Sequence, residues 1–202
     1  MNFSRTLARG ALVVVACLSL LAGRASSDDK APAPPADPMA EWAKRNAPGP
    51  QHKLLEQMAG TFEAHAKFYG PPGQPPMEST GTSVNTMILG GRFLRQEYRS
   101  SMMGHPFEGM GLTGYDTVGG KYIGMWADSM TTFLMQSEGK ASADGKTLEF
   151  HGKYQDPFGS GERTFRHVLT IAGPDAHHFE MWEPGEDGKE YKAMEIQYKR
   201  KK

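Results

Sequence analysis

After Gly60 the residue pattern changes to a period of two and is interrupted by turn residues at short intervals. Phe62, Ala64, Ala66 and Phe68 alternate with Thr61, Glu63, His65 and Lys67, which puts one set of side chains on each face of an extended strand. Nine further runs of strand character follow, at 81–89, 93–101, 107–115, 121–128, 132–140, 147–154, 163–172, 177–182 and 189–200. Gly90-Gly91, Asp144-Gly145, Gly173-Pro174-Asp175 and the stretches 116–120, 159–161 and 186–188 separate them, and each favours positive φ or starts a turn. The chain's 24 glycines suit tight hairpins better than helices. The expected fold is all-β: an up-and-down antiparallel barrel of about ten strands, since closure removes the edges that an open sheet would have to protect.

Upstream, 50–58 reads as one short helix, with Pro50 at its start, Leu54, Leu55 and Met58 on one face, and Gly60 as its stop. A helical turn over 41–45 is expected before the Pro48-Gly49-Pro50 break. Residues 26–48 form a Pro/Ala-rich spacer, expected to be mostly disordered, with Pro32, Pro34, Pro35 and Pro38 close together. Residues 1–25 carry the pattern of a signal peptide: Arg5 and Arg9, an apolar run over 11–21, and small residues at Gly23 and Ala25 that place cleavage after Ala25. The expected division is thus leader 1–25, spacer 26–48 and a single barrel domain 49–202, exported to the periplasm or secreted. The apolar run is shorter than the roughly 20 residues of a membrane span, so the mature form is expected to have none. Cys17 is either an ordinary leader residue or the lipidated end of a Val14-Val15-Ala16-Cys17 lipoprotein box; Leu18 to Leu21 staying apolar favours the first. It is the only cysteine, so the mature domain has no disulfide and relies on its core. Without the three leader arginines, 20 basic residues stand against 23 acidic ones. That balance argues against nucleic acid or an anionic membrane surface as partner, because both call for a concentrated basic field.

Gly60-Thr61-Phe62, directly after a helix and opening the first strand, resembles the Gly-x-Trp start of calycin and lipocalin-like barrels, with Phe62 in the tryptophan position. That resemblance implies an arginine from the last strand packed over the ring, and Arg200 stands at that position. A closer resemblance, over nearly all of 49–200, is to the bacterial domain-of-unknown-function family numbered 1579. It is carried by His52, Leu54 and Leu55, Gly90-Gly91-Arg92-Phe93-Leu94, Pro106-Phe107-Glu108-Gly109, Gly114-Tyr115-Asp116, Trp126-Ala127-Asp128-Ser129-Met130, Asp187-Gly188-Lys189-Glu190 and Met194-Glu195-Ile196. Phe62 departs from the tryptophan common there. The resemblance implies the barrel and assigns no activity.

Trp126 and Asp128 share a strand face, and an inward carboxylate needs a partner such as Arg92, Arg95 or Arg166. Alternatively, Asp128-Ser129 opens a turn. His167, between Phe165 and Leu169, is either an inward ligand to haem or metal or a satisfied core histidine. His177 and His178 cannot face the same way on a strand, so no metal site is expected. Met102, Met103, Met110, Met125, Met130 and Met135 would bind Cu(I) beside His105 if they converged, or else fill space around an irregular cavity. The mature chain has no cysteine nucleophile, no Gly-x-Ser-x-Gly elbow, and no glycine-rich loop leading into a helix. No catalytic residue and no cofactor are therefore expected. The candidate pocket residues are Arg95, Tyr98, Tyr115, Trp126, Asp128, Phe133, Met135 and His167, with Phe93 beside them. The functional expectation is a non-enzymatic module holding a small lipophilic or amphipathic molecule. One alternative is an enzyme working through Asp128, His167 and an arginine within hydrogen-bond reach. The other is a filled barrel that makes contacts through the 70–76 or 102–106 loop.

Overall fold

The computed structural model describes residues 37–70, 74–157, 159, 161–185 and 187–202, all within the unit Asp37–Lys202. The leader, Cys17, the cleavage position Ala25, residues 26–36 of the spacer and part of the 70–76 loop lie outside the described residues. Ten strands, β1 (Gly60–Phe68), β2 (Met77–Ile88), β3 (Phe93–Met102), β4 (His105–Asp116), β5 (Lys121–Asp128), β6 (Met135–Ala141), β7 (Thr147–Gln155), β8 (Glu162–Gly173), β9 (Ala176–Pro184) and β10 (Glu190–Arg200), form a closed barrel. Each pairs antiparallel with the next in sequence, and β10 closes on β1 from Phe62↔Arg200 to Phe68↔Met194.

Three strand boundaries differ from the sequence expectation, each for a local reason. β2 starts at Met77 because pairing with β1 runs out to Phe68↔Met77. Residues 102–106 are not a loop: Met103 (φ 50°) and Gly104 (φ 81°) supply the two positive-φ positions of a tight hairpin, and pairing reaches Met102↔His105. β6 starts at Met135 because the Asp128 carboxylate accepts hydrogen bonds from the Met130 and Thr131 amides, 3.0 and 3.1 Å away, and turns the chain there.

Helix α1 (Pro38–Arg45) begins earlier than the expected 41–45 turn. Asp37 caps it by accepting from the Met39 amide at 2.9 Å, and Pro38 occupies the first turn, where its missing N–H costs nothing. Helix α2 (Pro50–Glu56) turns Leu54 and Leu55 inward, and Met58 follows them. These three close one end of the barrel against Leu94, Tyr122, Leu148, Phe150 and Ile171. Leu55 and Leu148 have no exposed surface, and burying each stabilises the fold by about 1.5–3 kcal/mol. A second cluster of Phe62, Ala64, Ala66, Tyr98, Ile196 and Tyr198 packs the side built by β1, β3 and β10.

Arg200 ties the closed end together. Its guanidinium lies 4.6 Å from the Phe62 ring centroid, while Nη1 donates to the Ala59 carbonyl and Nε to that of Pro174, each at 2.8 Å. Gly60 makes this possible: its φ is +134°, and a Cβ there would collide with the Arg200 guanidinium.

Candidate functional site

Alternation along ten strands sends every second side chain inward, and those side chains do not fill the barrel. They leave a cavity of about 190 Å³. Its apolar wall combines thioethers and rings: Met58, Met135, Met181 and Met194 with Phe150, Phe165 and Phe179. Trp126 lies over β4 because Gly109 has no side chain; a Cβ there would overlap the indole. No Asp, Glu, Lys or Arg side chain lines the cavity.

Besides the Thr113 and Ser137 hydroxyls, two sets of polar groups stand at the cavity wall or, for Ser83, directly behind it. In the first, the Ser83 hydroxyl donates to Asn85 Oδ1 at 2.7 Å, and Asn85 Nδ2 donates to the Met58 carbonyl at 2.9 Å, holding the chain where α2 ends. Gln96 Nε2 donates to Ser83 Oγ at 2.9 Å and to the Tyr198 hydroxyl at 3.3 Å. Burial pushes the Tyr198 hydroxyl pKa well up, so the group stays protonated.

The second set is two imidazoles. His167 is stacked on Phe165 at 4.2 Å and meets Phe179 edge-on at 4.8 Å. Its Nε2 is buried without a hydrogen-bond partner among the described residues, and burial pushes its pKa down to about 3. His177 is stacked on Tyr198 at 4.3 Å and touches Phe62 edge-on at 4.6 Å. Burial, and after it the positive charge of Arg200, lowers its pKa to about 4. Both rings are neutral at physiological pH.

Of the residues expected at the pocket, Trp126, Met135 and His167 line the cavity. Tyr98 is buried beside Trp126, 6.5 Å between ring centres. Tyr115 packs beneath α2 against Tyr122 at 4.9 Å and His52 at 6.1 Å, and belongs to the closed end. Phe133 sits in the β5–β6 connection, stacked on Tyr154 at 5.9 Å. Besides Tyr98, Tyr115 and Phe133, two more of the expected pocket residues, Arg95 and Asp128, do not line the cavity. Arg95 and Phe93 point outward, because Leu94 and Gln96 take the inward positions of β3; Arg95 pairs with Glu97 at 3.6 Å on the outer wall. Asp128 accepts from the Trp126 indole N–H at 3.0 Å and holds its turn. Arg92 donates to the Leu89 carbonyl, and Arg166 pairs with Glu190 at 2.7 Å. Asp128, His167 and an arginine are therefore not brought together. The mid-chain methionines do not converge either, since Met103, Met110 and Met130 are exposed.

A buried ionic cluster was missed in the sequence. Tyr154 and Arg163 donate to the two oxygens of Glu183, each at 2.9 Å, and the Tyr191 hydroxyl donates at 3.3 Å. Tyr154 lies six residues along β7 from Leu148, about 20 Å away from the α2 end. The signal was available: Phe179, Met181 and Glu183 alternate along β9, as do Arg163, Phe165 and His167 along β8. On the outer wall His178, Glu180 and Glu195 stand close enough to share a cation. Lys192 already fills that position, 3.1 Å from Glu180 and 2.6 Å from Glu195.

The chain belongs to the family described as a protein of unknown function, DUF1579, whose model matches residues 47–200. Comparison with the curated proteins returns no match. Among solved structures the chain is similar to Rv2717c from M. tuberculosis, with 14% identity and a TM-score of 0.58, over 77% of this chain and 100% of that one. It is also similar to an S-type phycobiliprotein lyase from Guillardia theta, with 13% identity and a TM-score of 0.55, over 79% of this chain and 96% of that one. At such identities the likeness shows the fold alone, a lipocalin-like antiparallel barrel. Among the described residues no helix is long and apolar enough to cross a membrane.

Proposed function

We propose that this member of the family is a binding protein, not an enzyme, and that its interior cavity holds one small, uncharged, largely apolar molecule. The observation that carries this reading is a cavity lining without a single charged side chain. An ion placed there would lose its hydration with no countercharge, at a cost of several kcal/mol. Size narrows the choice further. An apolar cavity of about 150 Å³ accepts benzene, so 190 Å³ suits a molecule of about ten non-hydrogen atoms and is too small for a long-chain lipid. The sequence expectation of a lipophilic or amphipathic ligand thus narrows to a neutral one. Against an enzyme stands the separation of Asp128, which is occupied by its turn and by Trp126, from His167 and the arginines. The leader pattern over 1–25 supports binding outside the cytoplasm, and an N-terminus at Ser26 in the purified protein checks that.

The test is thermal unfolding of the full chain with toluene or benzyl alcohol and with their charged counterparts benzoate and benzylamine. A neutral ligand at about 100 times its Kd adds about 2.7 kcal/mol, which raises Tm by several degrees, and the charged pair leaves Tm unchanged. Equal stabilisation by the charged and neutral compounds would refute the reading.

A further inference from the structure

We infer that the ligand is a neutral aromatic molecule of one or two rings bearing a hydroxyl group, and that the His167 imidazole accepts a hydrogen bond from that hydroxyl. This rests on the cavity reading above and names the chemistry of its occupant. Among the polar atoms of the lining side chains, His167 Nε2 is the buried one to which the described residues supply no hydrogen bond. Ser83, Asn85, Gln96 and Tyr198 bond to one another and to the Met58 carbonyl. The buried Nε2 of His167 has no partner among the described residues, although buried polar groups nearly always find one. Phe165 and Phe179 flank the ring, so a third phenyl at this position would continue the stack without leaving a polar atom unpaired. A neutral imidazole carries one lone-pair nitrogen, a strong acceptor, and a phenolic O–H supplies the donor without bringing in a charge. The rest of the wall favours an aromatic ring. The faces and edges of Phe150, Phe165 and Phe179 offer offset and edge-on contacts, and the Met135, Met181 and Met194 thioethers pack well against π systems.

The experiment compares p-cresol with p-xylene, which has the same shape with a methyl in place of the hydroxyl. Each is titrated into the full chain and into its His167→Leu variant and followed by methionine methyl resonances. The wild-type protein is expected to bind the two within a few-fold of each other, and His167→Leu to prefer p-xylene by about tenfold or more, because the O–H then enters the cavity unpaired. The imidazole ¹⁵N resonances of His167 should move with p-cresol and not with p-xylene, a readout that does not depend on the variant. A tenfold preference of the wild-type protein for p-xylene, or the same ratio in both proteins, overturns the hydrogen bond and leaves the cavity reading standing. Failure of both compounds to bind overturns the cavity reading, and this inference with it.

Discussion

Two neutral histidines inside the barrel make its stability fall steeply in mild acid. An imidazole in an unfolded chain titrates near 6.5, whereas His167 and His177 in the folded barrel titrate at about 3 and about 4. Between those values the unfolded state binds more protons than the folded one. Stability is therefore fully present above pH 6.5 and is lost as pH falls through the window. At pH 5 the unfolded rings are almost wholly protonated and the folded ones almost wholly neutral, so each costs about 2 kcal/mol relative to pH 7.5, or about 4 kcal/mol together. His52, whose pKa is lowered by burial and then by Arg92, adds to the same limb. The carboxylates held low by their partners, Glu190 by Arg166 and Glu195 by Lys192, lose their contribution only at lower pH. Urea unfolding of the full chain at pH 7.5, 6.5, 5.5 and 5.0, followed by tryptophan fluorescence, measures the effect. His167→Leu should remove about 2 kcal/mol of the acid loss. Equal stability at pH 7.5 and 5.0, or an unchanged loss in His167→Leu, would refute the reasoning.

Three substitutions test the frame around the cavity, each by denaturant unfolding. Leu55→Ala removes the fully buried side chain at the α2 end and should cost about 2–5 kcal/mol. Gly60→Ala demands a positive φ from a residue with a Cβ and displaces the Arg200 guanidinium, for an expected loss of about 2–4 kcal/mol; a loss below 1 kcal/mol would mean that the closure is not set by that contact. Glu183→Gln removes the nearer of the two carboxylates beside the partly buried Arg163, leaving Asp156 at 3.8 Å, and should cost about 1–3 kcal/mol. Pairing it with Arg163→Met should recover part of that loss, which a double-mutant cycle reads directly.

The barrel was legible because its signals are local. Every hairpin connection but that between β5 and β6 carries or adjoins a glycine, and the period of two assigns side chains to faces within a strand. Two of the three misplaced boundaries arose where a residue other than glycine shapes the turn. Met103 adopts positive φ beside Gly104, and Asp128 turns the chain with its own side chain. The site was legible only in part. Alternation put Trp126, Met135 and His167 inside, but it could not say that Tyr115 would be taken up by the packing of α2, nor which of the adjacent residues Arg95 and Gln96 would be the inward one. The Tyr154–Arg163–Glu183 cluster joins β7, β8 and β9, and an ion pair across strands depends on register that no single strand records. Whether the inward side chains leave space is a matter of summed volumes and closure geometry, so the cavity itself had no signature in the sequence.

The most direct test of the account is native mass spectrometry of the protein purified from its own host, with release and identification of whatever it carries. One uncharged, hydroxylated aromatic molecule of roughly 100–200 Da per chain is the predicted result. A stoichiometric ion, a ligand several times that size, or a chain that carries nothing would contradict the claim that the neutral cavity is the functional site.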